Sequence, residues 1–228
     1  MGCLESREII ILEEKFVSLM EASLNYASHD CKIIDYYHRK YSYKEEINYE
    51  QWLEIVHKLG LNVENTRECP RAKDLYESLK NPNGTYNFRK MAELGILLSS
   101  GNSIEKARLL FQLFDPLDEK ILSAATINQL IDEILEICVG KTTILALNVN
   151  SKISQNSVVK YVNILKKNAK KFKPQIINKF IGSDAKNKYE FISLSNFESR
   201  IKKSNLENFL TTQGIRQFIF EEKMKSQS

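Results

Sequence analysis

The 228-residue chain predicts an all-α fold, and three features of its sequence carry that expectation. Gly and Pro number only 8 and 4, too few for the tight turns of an all-β protein. Apolar residues recur every three or four positions, the spacing that gathers them on one side of a helix. Four short segments also share one pattern: an apolar residue, a polar one, then an apolar residue five positions after the first. These are Ile47-Asn48 before Trp52, Tyr86-Asn87 before Met91, Leu122-Ser123 before Ile127 and Ile192-Ser193 before Phe197. Their lead residues lie 39, 36 and 70 positions apart, and the first two intervals set a period of about 36 to 40 residues.

The elements follow in order. Ile9, Leu12, Phe16 and Leu19, with Glu and Lys between them, predict an amphipathic first helix. Ile33, Ile34 and Tyr37, then Trp52, Leu53, Ile55 and Val56, bracket the polar stretch Arg39 to Glu46 as helix, loop, helix. After Pro70 the pattern returns: a helix from Ala72 to Leu79, a turn at Asn81-Pro82-Asn83-Gly84, and a helix from Phe88 to Leu98. Ser103 suits the N-cap of a helix over Ile104 to Phe114, which Asp115 to Lys120 breaks before helix resumes at Ala124. Residues 142–157 read as a loop. Val158, Val162, Leu165, Phe172 and Ile176 form a helical stripe as far as the Pro174 region. A last helix–loop–helix is expected from Ile177–Ile181 and Leu194–Ile201, and a closing helix from Asn205 to Met224.

Composition narrows the function. At 43% hydrophobic and 27% charged the chain can bury a core without staples. Its longest apolar run is far below the ~18 residues of a membrane span. Glu5, Glu8, Glu13 and Glu14 flank the first apolar stretch, which argues against a secretory leader. Cys3, Cys31, Cys69 and Cys138 show no paired spacing and read as reduced thiols of a cytosolic protein.

A helix–loop–helix repeat of this length resembles the EF-hand module. Phe111-Gln112-Leu113-Phe114-Asp115 and Ile121-Leu122-Ser123-Ala124-Ala125-Thr126-Ile127 look like the incoming helix, loop and outgoing helix of one hand. Gly84 to Met91, then Leu98-Ser99-Ser100-Gly101 and Glu105-Lys106-Ala107, are similar to the junction between second and third hands in the calcineurin B and neuronal calcium sensor family. The likeness covers roughly residues 30 to 200 and is sharpest over 72–135. It implies four degenerate hands in two lobes, 1–98 and 99–228, with extra helices at both ends. It further implies that Ile47, Tyr86, Leu122 and Ile192, at loop position 8, pair across hands in short β-bridges.

Calcium binding is not expected. The loop needs oxygen ligands at positions 1, 3, 5 and 9, a Gly at 6 and a bidentate Glu at 12. The third hand offers Asp115 and Glu119 at positions 1 and 5, the only weak metal candidates, but has Leu117 at 3, Lys120 at 6 and Thr126 at 12. The second keeps Asn81, Asn83 and Gly84 yet has Leu79 at 1 and Lys90 at 12. The first presents Lys40, Ser42, Lys44 and Gln51; the fourth ends in Asn196 and holds an extra residue after Asp184. Ammonium groups oppose a divalent cation. Such lobes would stay in one state and act as a scaffold.

Met1-Gly2-Cys3-Leu4-Glu5-Ser6 fits N-myristoylation of Gly2, with Cys3 a natural palmitoylation site. One acyl chain anchors only marginally, so Cys3 would supply the second signal. From Cys138 to Ser183 there is no Asp or Glu. There Lys160, Lys166, Lys167, Lys170, Lys171 and Lys173 are candidates for contact with anionic lipid or an acidic protein such as a tubulin tail. A solvated helix face is the plain alternative. The segment has no Arg, which argues against nucleic acid.

No catalytic constellation stands out. Gly140-Lys141-Thr142-Thr143 lacks the earlier Gly of a phosphate-binding loop, where Leu135 stands. His29-Asp30-Cys31 is a local turn, and His38 and His57 have no partner at metal-ligand spacing. The expectation is a non-catalytic adaptor without cofactor, peripheral to the cytoplasmic face of a membrane, gripping a partner helix in an apolar groove between its lobes. The alternatives are a structural component of a cytoskeletal or ciliary assembly and a weak calcium sensor.

Overall fold

A computed structural model describes residues 2–149, 153–181, 191–203 and 206–226, with side chains from residue 12 onward. It is mostly helical, with ten α-helices and two small sheets among the described residues. The helices are α1 (Gly2–Ala22), α2 (Cys31–Tyr41), α3 (Tyr49–Leu59), α4 (Ala72–Glu77) and α5 (Phe88–Leu98), then α6 (Ser103–Leu113), α7 (Ala124–Leu135), α8 (Gln155–Ile181), α9 (Leu194–Lys203) and α10 (Thr212–Lys225). Each strand sits just before an outgoing helix: β1 (Glu46–Ile47), β2 (Tyr86–Asn87), β3 (Ile121–Ser123) and β4 (Phe191–Ser193).

Local chemistry starts these helices where the chain turns. Asn48, Asn87 and Ser123 each leave an extended strand and accept, through the side chain, an amide of the first helical turn: that of Gln51, Lys90 and Thr126 respectively. At α3 the cap is reciprocal, since the Gln51 side chain also accepts from the Asn48 amide. Asn102, one residue before the expected Ser103, caps α6.

The strands pair antiparallel in two ladders, β1 with β2 and β3 with β4. Ile47 lies opposite Tyr86, and Leu122 opposite Ile192, so the four repeat-leading residues meet two by two, all buried. Around each ladder the incoming helix of one unit packs on the outgoing helix of the other: α2 on α5, and α6 on α9. Trp52 sits between Tyr76 and Tyr86 in the first pair of units, with ring centroids 5.0 and 5.5 Å away. Phe197 sits between Phe111 and Phe180 in the second, at 5.5 and 5.6 Å.

A buried segment links the two pairs. After α7 the chain makes a π-helical turn, Glu136–Lys141, and a 3-10 turn, Thr142–Ala146. Ile137, Cys138, Val139, Thr142, Thr143, Leu145 and Ala146 are all buried. This segment packs against α1 and α4 on one side and against α7, α8 and α10 on the other. Lys141 donates to the Ser78 carbonyl at 2.6 Å, and Arg71 donates to that of Leu147 at 2.7 Å. Through these contacts the segment ties the first pair of units to the second.

Two helices depart from their sequence pattern. In α1, Phe16 is buried as expected, but Leu12 and Leu19 are 50% and 62% exposed, while Glu13, Glu14 and Glu21 are buried. The helix is turned so that Glu14 and Glu21, seven residues apart on one face, point inward with Val17 and Met20. In α8 no break occurs near Pro174. The helix runs 27 residues, joining the stripe from Val158 to the expected incoming segment Ile177–Ile181. Pro174 faces solvent while Phe172, Ile176 and Phe180 continue the buried side, so packing holds the helix through the missing amide.

Candidate functional site

In the third loop Asp115 is buried and its carboxylate is already occupied. One oxygen accepts the Glu119 amide at 2.9 Å and the other the Lys120 amide at 2.7 Å. Glu119, the second metal candidate, is exposed, and Leu117 projects outward with 79% of its surface free. Asp118 and Lys120 hold positive φ, 53° and 59°, so the turn is made without glycine. Thr126, in the place of a bidentate Glu, shares a 2.8 Å hydrogen bond with the Ser123 hydroxyl.

The other described loops close in the same local way. In the second, the Gly84 amide donates to the Asn81 carbonyl, the Asn81 amide to the Thr85 carbonyl, and the Thr85 amide to the Asn83 side chain. Gly84 has φ 84°, where a side chain would be strained. Lys90, at position 12, reaches Glu136 at 3.0 Å. In the first loop Lys44 and Glu45 take φ 49° and 62°, and Gln51 is committed to its own cap. The expected extra residue after Asp184 lies outside the described residues.

One cluster of potential metal donors occurs among the described residues: Asp30, Cys31 and Glu105. Its chemistry is structural. Asp30 caps α2 by accepting the Lys32 amide at 2.8 Å, and Glu105 pairs with the Lys32 ammonium. Burial first, then the Asp30 charge, pushes the Cys31 thiol up to about 11, which keeps it protonated at neutral pH. Cys69 and Cys138 are likewise buried free thiols. Thr142 and Thr143 bond back to the carbonyls of Cys138 and Val139, so Gly140–Thr143 forms helical turns and no phosphate cradle.

Gly2 and Cys3 open α1, and their side chains lie outside the described set. The lysines of α8 separate into groups. Lys173 is tied to Asp132 at 2.6 Å. Lys166 and Lys170 are exposed on the open side of the helix. Lys160, Lys167 and Lys171 line a groove of about 890 Å³ together with Lys223 of α10. No carboxylate lines that groove, and none of these four lysines has an ion-pair partner among the described residues. Lys223 was invisible to sequence reasoning, because only the packing of α10 on α8 brings it there.

A second charged constellation is internal. Arg216 of α10 has no exposed surface and pairs with both Glu14 and Glu21 of α1, at 2.8 and 2.6 Å. It also donates to the Cys138 carbonyl at 3.2 Å and to the Thr142 hydroxyl at 3.0 Å. Tyr161 of α8 donates to Glu14, and Thr212 to Glu21 at 2.8 Å. Every polar atom at the head of Arg216 therefore has a partner, as a buried charge requires. The cluster joins α1, α8, α10 and the turns after α7.

No helix among the described residues is long and apolar enough to cross a membrane. Compared with family models, curated proteins and solved structures, the chain finds no match.

Proposed function

We propose that the protein is a non-catalytic, EF-hand-like adaptor whose loops are closed by its own groups instead of calcium, and which acyl chains on Gly2 and Cys3 hold at the cytoplasmic face of a membrane. The observation that carries the reading is the two-by-two pairing of Ile47 with Tyr86 and Leu122 with Ile192, beneath loops whose turns are satisfied by amides and caps. A module held by a continuous apolar core and a buried ion cluster presents one fixed surface to its partner. The Met1–Ser6 motif supports the anchor.

Cell fractionation of wild type against Gly2→Ala tests it. Wild type is expected in membranes and released by mild detergent, with Gly2→Ala soluble. If both stay in a detergent-resistant pellet, the anchor fails and the cytoskeletal or ciliary reading, which the unpaired lysines of α8 favour, takes its place. Titration calorimetry with calcium is expected to give no heat. A tight site would restore the sensor reading.

A further inference from the structure

The groove between α8 and α10 has a composition that points to a particular occupant. Its walls carry Lys160, Lys167, Lys171 and Lys223, and Val159 and Ile164 lie between them. Val159 is 40% exposed, an apolar residue offered to solvent amid charge. Asn156 and Asn163 add side-chain amides, which can both donate to and accept from a peptide backbone. Lys160 and Lys171 are eleven residues apart on one face of the helix, about 16 Å along its axis. An extended chain covers that length with about five residues, and its same-side positions recur every ~7 Å, close to the ~6 Å between Lys167 and Lys171.

Resting on the adaptor reading above, we propose that this groove is the partner site, and that it takes an acidic, extended polypeptide segment. A bilayer meets a protein as a broad surface, and its headgroups are served as well by Lys166 and Lys170 on the open side of α8 as by the groove. A peptide is a narrow object that an open groove with lysines on both walls can seat along its length. Four cations without a carboxylate among the lining residues leave the charge unanswered until such a segment arrives.

The test is fluorescence anisotropy of a labelled, glutamate-rich decapeptide titrated with the full, unacylated protein at low and physiological salt. Lys167→Glu with Lys171→Glu is expected to weaken binding by about tenfold or more, whereas Lys166→Glu with Lys170→Glu, equal in charge change, leaves it within about twofold. All four positions are exposed, and circular dichroism verifies that both variants fold. Equal losses in the two variants, or no binding by wild type, overturn the groove. So does binding to phosphatidylserine vesicles that Lys167→Glu with Lys171→Glu abolishes in the absence of any peptide affinity. Fractionation of the same variants separates the two levels: membrane retention without peptide binding removes the groove and leaves the anchored adaptor standing.

Discussion

Arg216 shows what a single buried charge demands. Its guanidinium has two carboxylates, a carbonyl and a hydroxyl arranged around it, all brought by other elements. Removing it strands Glu14 and Glu21 in a dry interior, so Arg216→Met should destabilise the fold by about 3–5 kcal/mol in urea unfolding. Replacing both acids by Gln in the same chain should recover part of that loss. His38 and Glu93 titrate in opposite senses. His38 is fully buried with Nε2 unpartnered, and burial lowers its pKa to about 4. A depressed histidine contributes stability that is complete above the ordinary value of 6.5 and is lost as pH falls towards 4. His38→Phe should flatten that acid-side decline. Glu93 has both oxygens buried without a partner, and burial first, then the nearby Glu133, raises it well above 4.5. A raised carboxyl favours folding below the ordinary carboxylate range and progressively less as pH rises through it. Glu93→Gln should therefore stabilise the protein at pH 7 and change little in acid, read from urea midpoints at both pH values.

At the scale of elements, the loops are where the chain departs most from a metal site. Lys120 holds φ 59° at the position where glycine would be free of strain. Lys120→Gly should raise stability by about 1 kcal/mol without creating calcium affinity, since Leu117 and Thr126 would still stand where the EF-hand resemblance places ligands. A thermal melt and calorimetry on the same sample check both halves. The helix–loop–helix pattern and its bridge residues were legible because short-range chemistry specifies them: an apolar residue, a capping Asn or Ser, then a helical stripe. The phase of α1 was not legible, because its buried face includes glutamates whose partner lies in α10. Nor was the continuity of α8, since Pro174 is a breaker in isolation and becomes tolerable only where one helix face is packed. The groove was half legible: its α8 lysines stand out in an acid-free stretch, whereas Lys223 arrives by tertiary packing alone.

Across the whole molecule, one core runs through both pairs of units, and α10 is part of it through Ile215, Ile219 and Phe220. Truncation after Leu210 should leave no cooperative unfolding transition, because it removes those residues together with Arg216 and bares two glutamates. Excess calcium or chelator should leave the melting temperature unchanged, in contrast to a fold that a bound ion stabilises by mass action. The closure of α1 by α10 also sets a clock on the ribosome. Glu14 and Arg216 are 202 residues apart in sequence. At about 5–20 residues per second of synthesis, some 10–40 seconds pass between the appearance of the acids and that of their cation. During that interval the first helix lacks the cation that closes it, and Glu14 and Glu21 must stay hydrated until α10 arrives.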